Sequence, residues 1–138
     1  MANPIQRFYT WLHGRWPAGS VEKGPDVNDD GTTELKGVRV VGDLTGVPLL
    51  KFSADTGAKA VEGILKESDF KKGAGRDSDV YDLAIIGAGV AGLSAAIEAK
   101  KAGLKFVLYE ADEPFSTIHN FPRKKPIYTY PTEMRQAG

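Results

Sequence analysis

Apolar residues along this chain gather into short runs and helix-period stripes, set apart by stretches rich in glycine, proline and charge. The runs lie at 38–41, with Val38, Val40 and Val41, at 83–86, with Leu83, Ala84, Ile85 and Ile86, and at 106–110, where Phe106, Val107, Leu108 and Tyr109 end in the acid Glu110. Their length and β-branched content predict strands, and the run at 83–86 suits a strand buried on both faces of a parallel sheet. The stripes predict helices. Val90, Leu93, Ala96 and Ile97 share one face of a helix over about 90–102 that Gly103 closes as the residue past its end. Leu50, Ala54, Ala58, Val61, Ile64 and Leu65 mark another near 48–67, opened by Pro48 and interrupted by Gly57.

A shorter stripe stands at 3–14, where Asn3 serves as N-cap, Pro4 as first helical residue and Gly14 as the stop. Ile5, Phe8, Tyr9, Leu12 and Trp16 keep the helical period. This helix is expected to dock its stripe on the core rather than on a membrane surface, because only Arg7 and Arg15 flank it with positive charge. From Trp16 to Asp30 the composition becomes irregular and ends in the turn 28–31. Asp26, Asp29 and Asp30 lack the spacing and the closing glutamate of a calcium loop and read as a solvated turn. The charged, glycine-containing stretch at 68–79 reads as a linker. The organisation expected is an N-terminal helix with an irregular segment over 1–30, a strand–Gly-Asp–helix unit over 31–67, the linker, and a βαβ unit with an irregular tail over 80–138.

Between the run at 83–86 and its helix stand Gly87, Gly89 and Gly92 at G-x-G-x-x-G spacing, with Ala88, Val90 and Ala91 between them. Gly87 permits the sharp turn, Gly89 lets the backbone come close to a pyrophosphate, and Gly92 lets the helix pack against the sheet. The pyrophosphate would meet free amides at the positive end of a helix. Glu110, roughly 18 residues past Gly92, would accept hydrogen bonds from ribose hydroxyls and repel a 2′-phosphate, which argues against NADP here. The bland alternative is a βαβ unit whose glycines serve packing alone. In the other unit Gly42 and Asp43 stand at the tip of the run 38–41, and Asp43 reads equally as a ligand-facing carboxylate or as a turn acid capping its own loop.

Composition narrows the function classes. A chain of 138 residues suffices for one domain with a core, not for two nucleotide-binding domains of about 100–150 residues each. Lysine plus arginine equals aspartate plus glutamate at 18 each, so no net field favours nucleic acid or an anionic membrane. The chain has no cysteine, hence no disulfide or dithiol redox pair, and His13 and His119 are too few and too distant to suggest a metal centre. No apolar run is long enough for a signal peptide or a membrane span, so the default expectation is a soluble, cytoplasmic protein. Residues 111–131 are punctuated by Pro114, Pro122, Pro126 and Pro131 and read as a long irregular excursion; Arg123, Lys124 and Lys125 read as a solvated loop rather than a phosphate clamp.

The two glycine-bearing stretches resemble the two FAD-binding signatures of the pyridine nucleotide-disulfide oxidoreductase superfamily, particularly its thioredoxin-reductase-like branch. The first is carried by residues 82–92 with Glu110, the second by 37–43 and the helix after Pro48. The resemblance implies a small Rossmann-like three-layer α/β fold with a mostly parallel sheet, incomplete relative to the family. It implies FAD as cofactor, with NAD as the alternative: the ADP half on Gly87 to Gly92 and Glu110, the ribityl chain on Asp43 beside Gly42. Ile118, His119, Asn120, Phe121 and Pro122 are similar to a segment that passes close to the flavin in this branch, which makes Asn120 a candidate contact. The order of the signatures is reversed relative to the family, and neither a second glycine fingerprint for NAD(P)H nor a C-x-x-C is present. Permutation, fusion or truncation follows, with NAD(P)H binding expected from a missing domain or another chain. The functions in view are the FAD-binding portion of a flavoprotein oxidoreductase, a non-catalytic NAD- or ADP-binding module, and an incomplete fragment without activity. No catalytic side chain and no metal ligand are assigned.

Overall fold

The computed structural model describes residues 3–14, 24–73 and 79–128. In chain order they form α1 (Pro4–Gly14), a 3-10 turn (Gly42–Thr45), α2 (Leu50–Lys66), β1 (Leu83–Ile86), α3 (Val90–Lys101), β2 (Phe106–Tyr109) and a single-turn α4 (Ser116–His119). The architecture is α/β. β1 and β2 pair in parallel with Leu83 opposite Phe106 and Ile86 opposite Tyr109, and α3 makes the crossover between them. A parallel pair requires such a crossover, and here it has the length and the glycine stop that the sequence predicts. Gly103, at φ 65°, closes α3 in the left-handed region.

The core is small. Val61 of α2, Ile85 of β1, Ala95, Ala96 and Ala99 of α3, and Leu104 form its buried cluster, and Phe70, Leu83, Phe106 and Leu108 pack against it. Alanine and glycine dominate because α2 and α3 lie almost backbone to backbone. A Cβ placed on Gly57 would meet the Ala91 carbonyl oxygen at 2.2 Å, and the Ser94 hydroxyl donates to the Ala54 carbonyl at 2.6 Å. Gly57 therefore does not merely interrupt a stripe; it is the contact point of the helix pair. The same closeness shifts the buried face of α3 from the expected one, while Ala96 stays buried and Val90 and Leu93 half-buried. Its buried residues are Gly92, Ser94, Ala95, Ala96 and Ala99, whereas Ile97, placed on the apolar face by its period, is exposed. Small side chains win the interface because bulky ones would hold the helices apart.

Three further expectations are corrected. The run at 38–41 is not a strand: Arg39 makes only an isolated antiparallel bridge to Thr32. An open space of about 430 Å³ separates it from β1, so no ladder hydrogen bonds span the gap and the valines stay extended without a sheet. β1 is not buried on both faces, since Ile85 is buried while Ile86 is 88% exposed and no described element covers that side. The α1 stripe does not dock: Ile5, Phe8, Tyr9, Trp11 and Leu12 are all exposed, and among the described residues α1 packs against no other element. Its N-cap forms as expected, with the Ile5 amide donating to Asn3 Oδ1 at 3.0 Å. Periodicity states that a face prefers cover without naming what covers it. Trp16 and Arg15 lie outside the described residues.

Smaller differences have local causes. α2 begins at Leu50 with Leu49 as N-cap, so Pro48 precedes the helix rather than opening it. The stretch expected to be a linker is packed in its first half, where Phe70 lies on the core and the Gly73 amide donates to Asp82 Oδ1 at 2.8 Å; residues 74–78 fall outside the described ones. Asp82 also accepts the Lys105 amide at 2.9 Å, which aligns the starts of β1 and β2. Arg39 is largely buried and ties the turn at Asp30, through that residue's carbonyl, to Glu67 past the end of α2, the latter at 2.6 Å.

Candidate dinucleotide site

The turn after β1 is set by backbone geometry. Gly87 has φ 97°, a conformation that side-chain-bearing residues avoid, and its amide donates to Tyr109 O at 2.8 Å, extending the ladder one step past the strands. Gly92 then passes so close to Gly87 that a Cβ would lie 1.8 Å from the Gly87 carbonyl oxygen. Gly89 is different. Nothing lies within 4 Å of the position a Cβ would take, so its glycine answers to no neighbour within the protein. It is the N-cap of α3 without a side-chain cap, and the first intrahelical bond runs from the Leu93 amide to Gly89 O. The amides of Val90, Ala91 and Gly92 thus precede the helix's own acceptors, at the positive end of its dipole.

Glu110 closes the other side of the turn. Its Oε2 accepts the Ala88 amide at 2.5 Å, and its Oε1 accepts the amides of Ala111 and Asp112 at 2.8 and 3.2 Å. The Ala88 carbonyl in turn accepts the Phe115 amide at 3.0 Å, so the chain after β2 pins both polar groups of Ala88. Phe115 takes a left-handed conformation, φ 60°, to do so. Sequence reasoning reserves Glu110 for a ligand; the structure adds a structural duty, and a carboxylate with about four lone-pair sites retains one for a ligand donor.

The amides of Ala88, Asp112 and Ala111, in that order, hold the Glu110 carboxyl below the usual carboxylate range. A folded value below the unfolded one stabilises fully above the ordinary glutamate value of 4.5, and that contribution is lost as pH falls through the lower folded value. The Ala88 amide resonance should therefore titrate below pH 4.5 in the wild type and stay flat in Glu110→Gln. A wild-type resonance that ignores acid would show the contact to be absent in solution.

The Gly42–Asp43 unit faces this turn. Gly42, at φ 75°, is buried against α3, with 2.9 Å from a would-be Cβ to that of Ala91. Its amide donates to Thr56 Oγ1 at 2.9 Å, and its carbonyl accepts the Thr45 hydroxyl at 2.8 Å. Asp43 stands next, in the 3-10 turn, with Oδ1 accepting the Ser53 hydroxyl at 2.7 Å. One cavity of about 200 Å³ is lined by Gly42 and Asp43 on one side and by Gly87, Gly89 and Val90 on the other. Asp43 also borders a neighbouring apolar cavity of about 310 Å³, together with Leu49, Leu50, Phe121 and Tyr128.

The structure thus brings Gly42, Asp43, Gly87, Gly89, Val90, Ala91 and Gly92 around one cavity, with Ala88 buried behind the turn and Glu110 bonded to it. Asn120 is exposed and lines neither cavity; Phe115, Thr117 and Ile118 reach the first one instead. Ile118 belongs to the segment that the resemblance sets near the flavin; Phe115 and Thr117 were missed because α4 is a single turn inside a proline-punctuated stretch, too short to leave a period. The basic run stays exposed, with Lys125 over the Phe121 ring at 3.8 Å. Among the described residues no group of His, Asp or Glu is placed to hold a metal, and no helix is long and apolar enough to cross a membrane.

Residues 82–121, the whole of β1, the glycine turn, α3, β2 and α4, match the family described as FAD binding domain. This likeness to a FAD-binding domain covers under a third of the chain. A thioredoxin reductase of Ureaplasma parvum serovar 3 is 53% identical over 42 residues, which cover 30% of this chain and 14% of that protein. No solved structure matches. The likeness over residues 82–121 supports FAD as the cofactor. The residues present fit that group: the glycine turn leaves Gly89 open to close approach and keeps helix N-terminal amides beside it, and the Asp43 carboxylate stands across the same cavity.

Proposed function

We propose that this chain is the FAD-holding portion of a flavoprotein oxidoreductase whose NAD(P)H-binding part lies in another domain or chain. In this reading the amides of Val90, Ala91 and Gly92 hold the pyrophosphate, Gly89 admits it, Glu110 accepts the adenosine ribose hydroxyls and Asp43 accepts those of the ribityl chain. The observation that carries it is the single cavity lined by both Gly42–Asp43 and the glycine turn, since two signatures that serve one ligand must share one edge of the fold. The helix pair supports the same reading, because the Gly57–Ala91 contact fixes the Asp43 unit relative to the phosphate turn. Bound FAD supplies the hydride and electron transfer, and the protein's part is to bind and orient it. With no cysteine in the chain, disulfide chemistry is left to other components. A cytoplasmic location, the default expectation of the sequence, accords with such a role.

Asp43→Ala tests the assignment. FAD should bind about tenfold more weakly, the loss expected of a charge-assisted hydrogen bond, whereas ADP, which has no ribityl chain, should bind as before. Equal loss for both ligands, or none for either, would leave only an adenine-dinucleotide module. A wild-type chain that takes up ADP but not FAD would point the same way.

A further inference from the structure

We propose that Ser53 is the positioning residue of the flavin site, holding the Asp43 carboxylate in the orientation that meets the ligand; this rests on the reading of Asp43 as a FAD contact. Ser53 lies in the first turn of α2, its amide bonded to Leu49 O at 2.9 Å, and is only 4% exposed. A serine within a helix commonly points its hydroxyl to solvent or back onto the carbonyl four residues earlier. Ser53 instead donates out of the helix, to Asp43 Oδ1, ten residues earlier in the chain. Its neighbour one turn on divides the work differently: Thr56 donates to Ser53 O at 3.1 Å and accepts the Gly42 amide. Thr56 thus fixes the backbone before Asp43, and Ser53 fixes its side chain.

Asp43 needs such a restraint because it sits exposed in a short turn, where an aspartate samples several rotamers. Committing Oδ1 to a buried donor leaves Oδ2 for ligand hydroxyls, an acceptor-only group suited to a polyol chain. Ser53 is itself anchored, since α2 is clamped to α3 at Gly57 and Ala91. A buried hydroxyl must spend its proton somewhere, and here the acceptor is the proposed ligand-binding group.

The test uses the full chain, with FAD binding read by flavin fluorescence and ADP binding by calorimetry. Ser53→Ala should weaken FAD about three- to tenfold and leave ADP within about twofold, as expected for a lost hydrogen bond. In an Asp43→Ala background the same change should add nothing to the loss of FAD affinity, because Ser53, which also lines the cavity, gives its one hydroxyl proton to Asp43. Ser53→Cys, close in volume but a weak donor, should behave as Ser53→Ala, and it replaces that variant if the alanine chain fails to fold. Wild-type-like FAD affinity in Ser53→Ala, additive losses in the double variant, or equal weakening of ADP would each overturn the assignment. A wild-type chain without FAD affinity would remove the flavin reading itself and the Ser53 role with it; wild-type binding with a silent Ser53 removes only the latter.

Discussion

Gly89→Val is expected to abolish FAD and ADP binding while the fold survives. The position tolerates a side chain as far as the protein is concerned, since no atom lies within 4 Å of the site a Cβ would occupy. Its φ of −74° lies in a region open to every residue, so valine meets no backbone strain there. The branched side chain would instead fill the space where a pyrophosphate must approach the amides of Val90 and Ala91. Losing the closest phosphate contacts should cost about a hundredfold or more in affinity for both ligands. Circular dichroism should stay as in the wild type. Retained ADP binding in a folded Gly89→Val chain would mean that the phosphate lies elsewhere.

Gly92→Ala should do the opposite and break the fold before it touches the ligand. Alanine is favoured over glycine inside a helix by about 1 kcal/mol, so the substitution would stabilise α3 in isolation. Against that stands the Gly87 carbonyl oxygen, 1.8 Å from the new methyl group, with the Ile85 side chain next at 3.5 Å. Neither obstacle is the flexible end of a long side chain; the first is backbone in a turn pinned by Tyr109 and Glu110. Relief requires moving the start of α3 off β1, which opens the small cluster around Ile85 and Ala95. A cost of about 3 kcal/mol or more is expected, which outweighs the helix gain and is a large share of a small domain's stability. The measurement is the midpoint of urea unfolding. A midpoint equal to that of the wild type would show that the close approach at Gly92 is relaxed in solution.

These two glycines look alike in the sequence, and their different duties bear on how the site was legible. Spacing alone indicates that both matter, because G-x-G-x-x-G between a strand and a helix suits one turn and one ligand. Which glycine answers to the protein and which to the ligand depends on distances that spacing does not contain. The same holds for the acids. Asp43 and Glu110 are legible as carboxylates at the ends of apolar runs, but the Ser53 donor and the Ala88 amide that hold them come from residues 10 and 22 positions away.

What the sequence determined by itself was local. The turn at Gly87, the span of α3 and its stop at Gly103, the parallel pairing of β1 with β2 and the N-cap at Asn3 all follow from patterns within a few turns of chain, where sterics and periodicity act directly. Tertiary structure decided the rest. It left residues 38–41 outside the sheet with one isolated bridge to Thr32, because a strand joins a sheet only where a neighbouring strand's amides come within reach. It turned the alanine and glycine face of α3 inward and Ile97 outward, because the closeness of two helices depends on both of them. It left the stripe of α1 exposed, because hydrophobic attraction has no address. And it set Asp43 across one cavity from Gly89, 46 residues further along the chain, because the contact between α2 and α3 at Gly57 carries the two units to the same side.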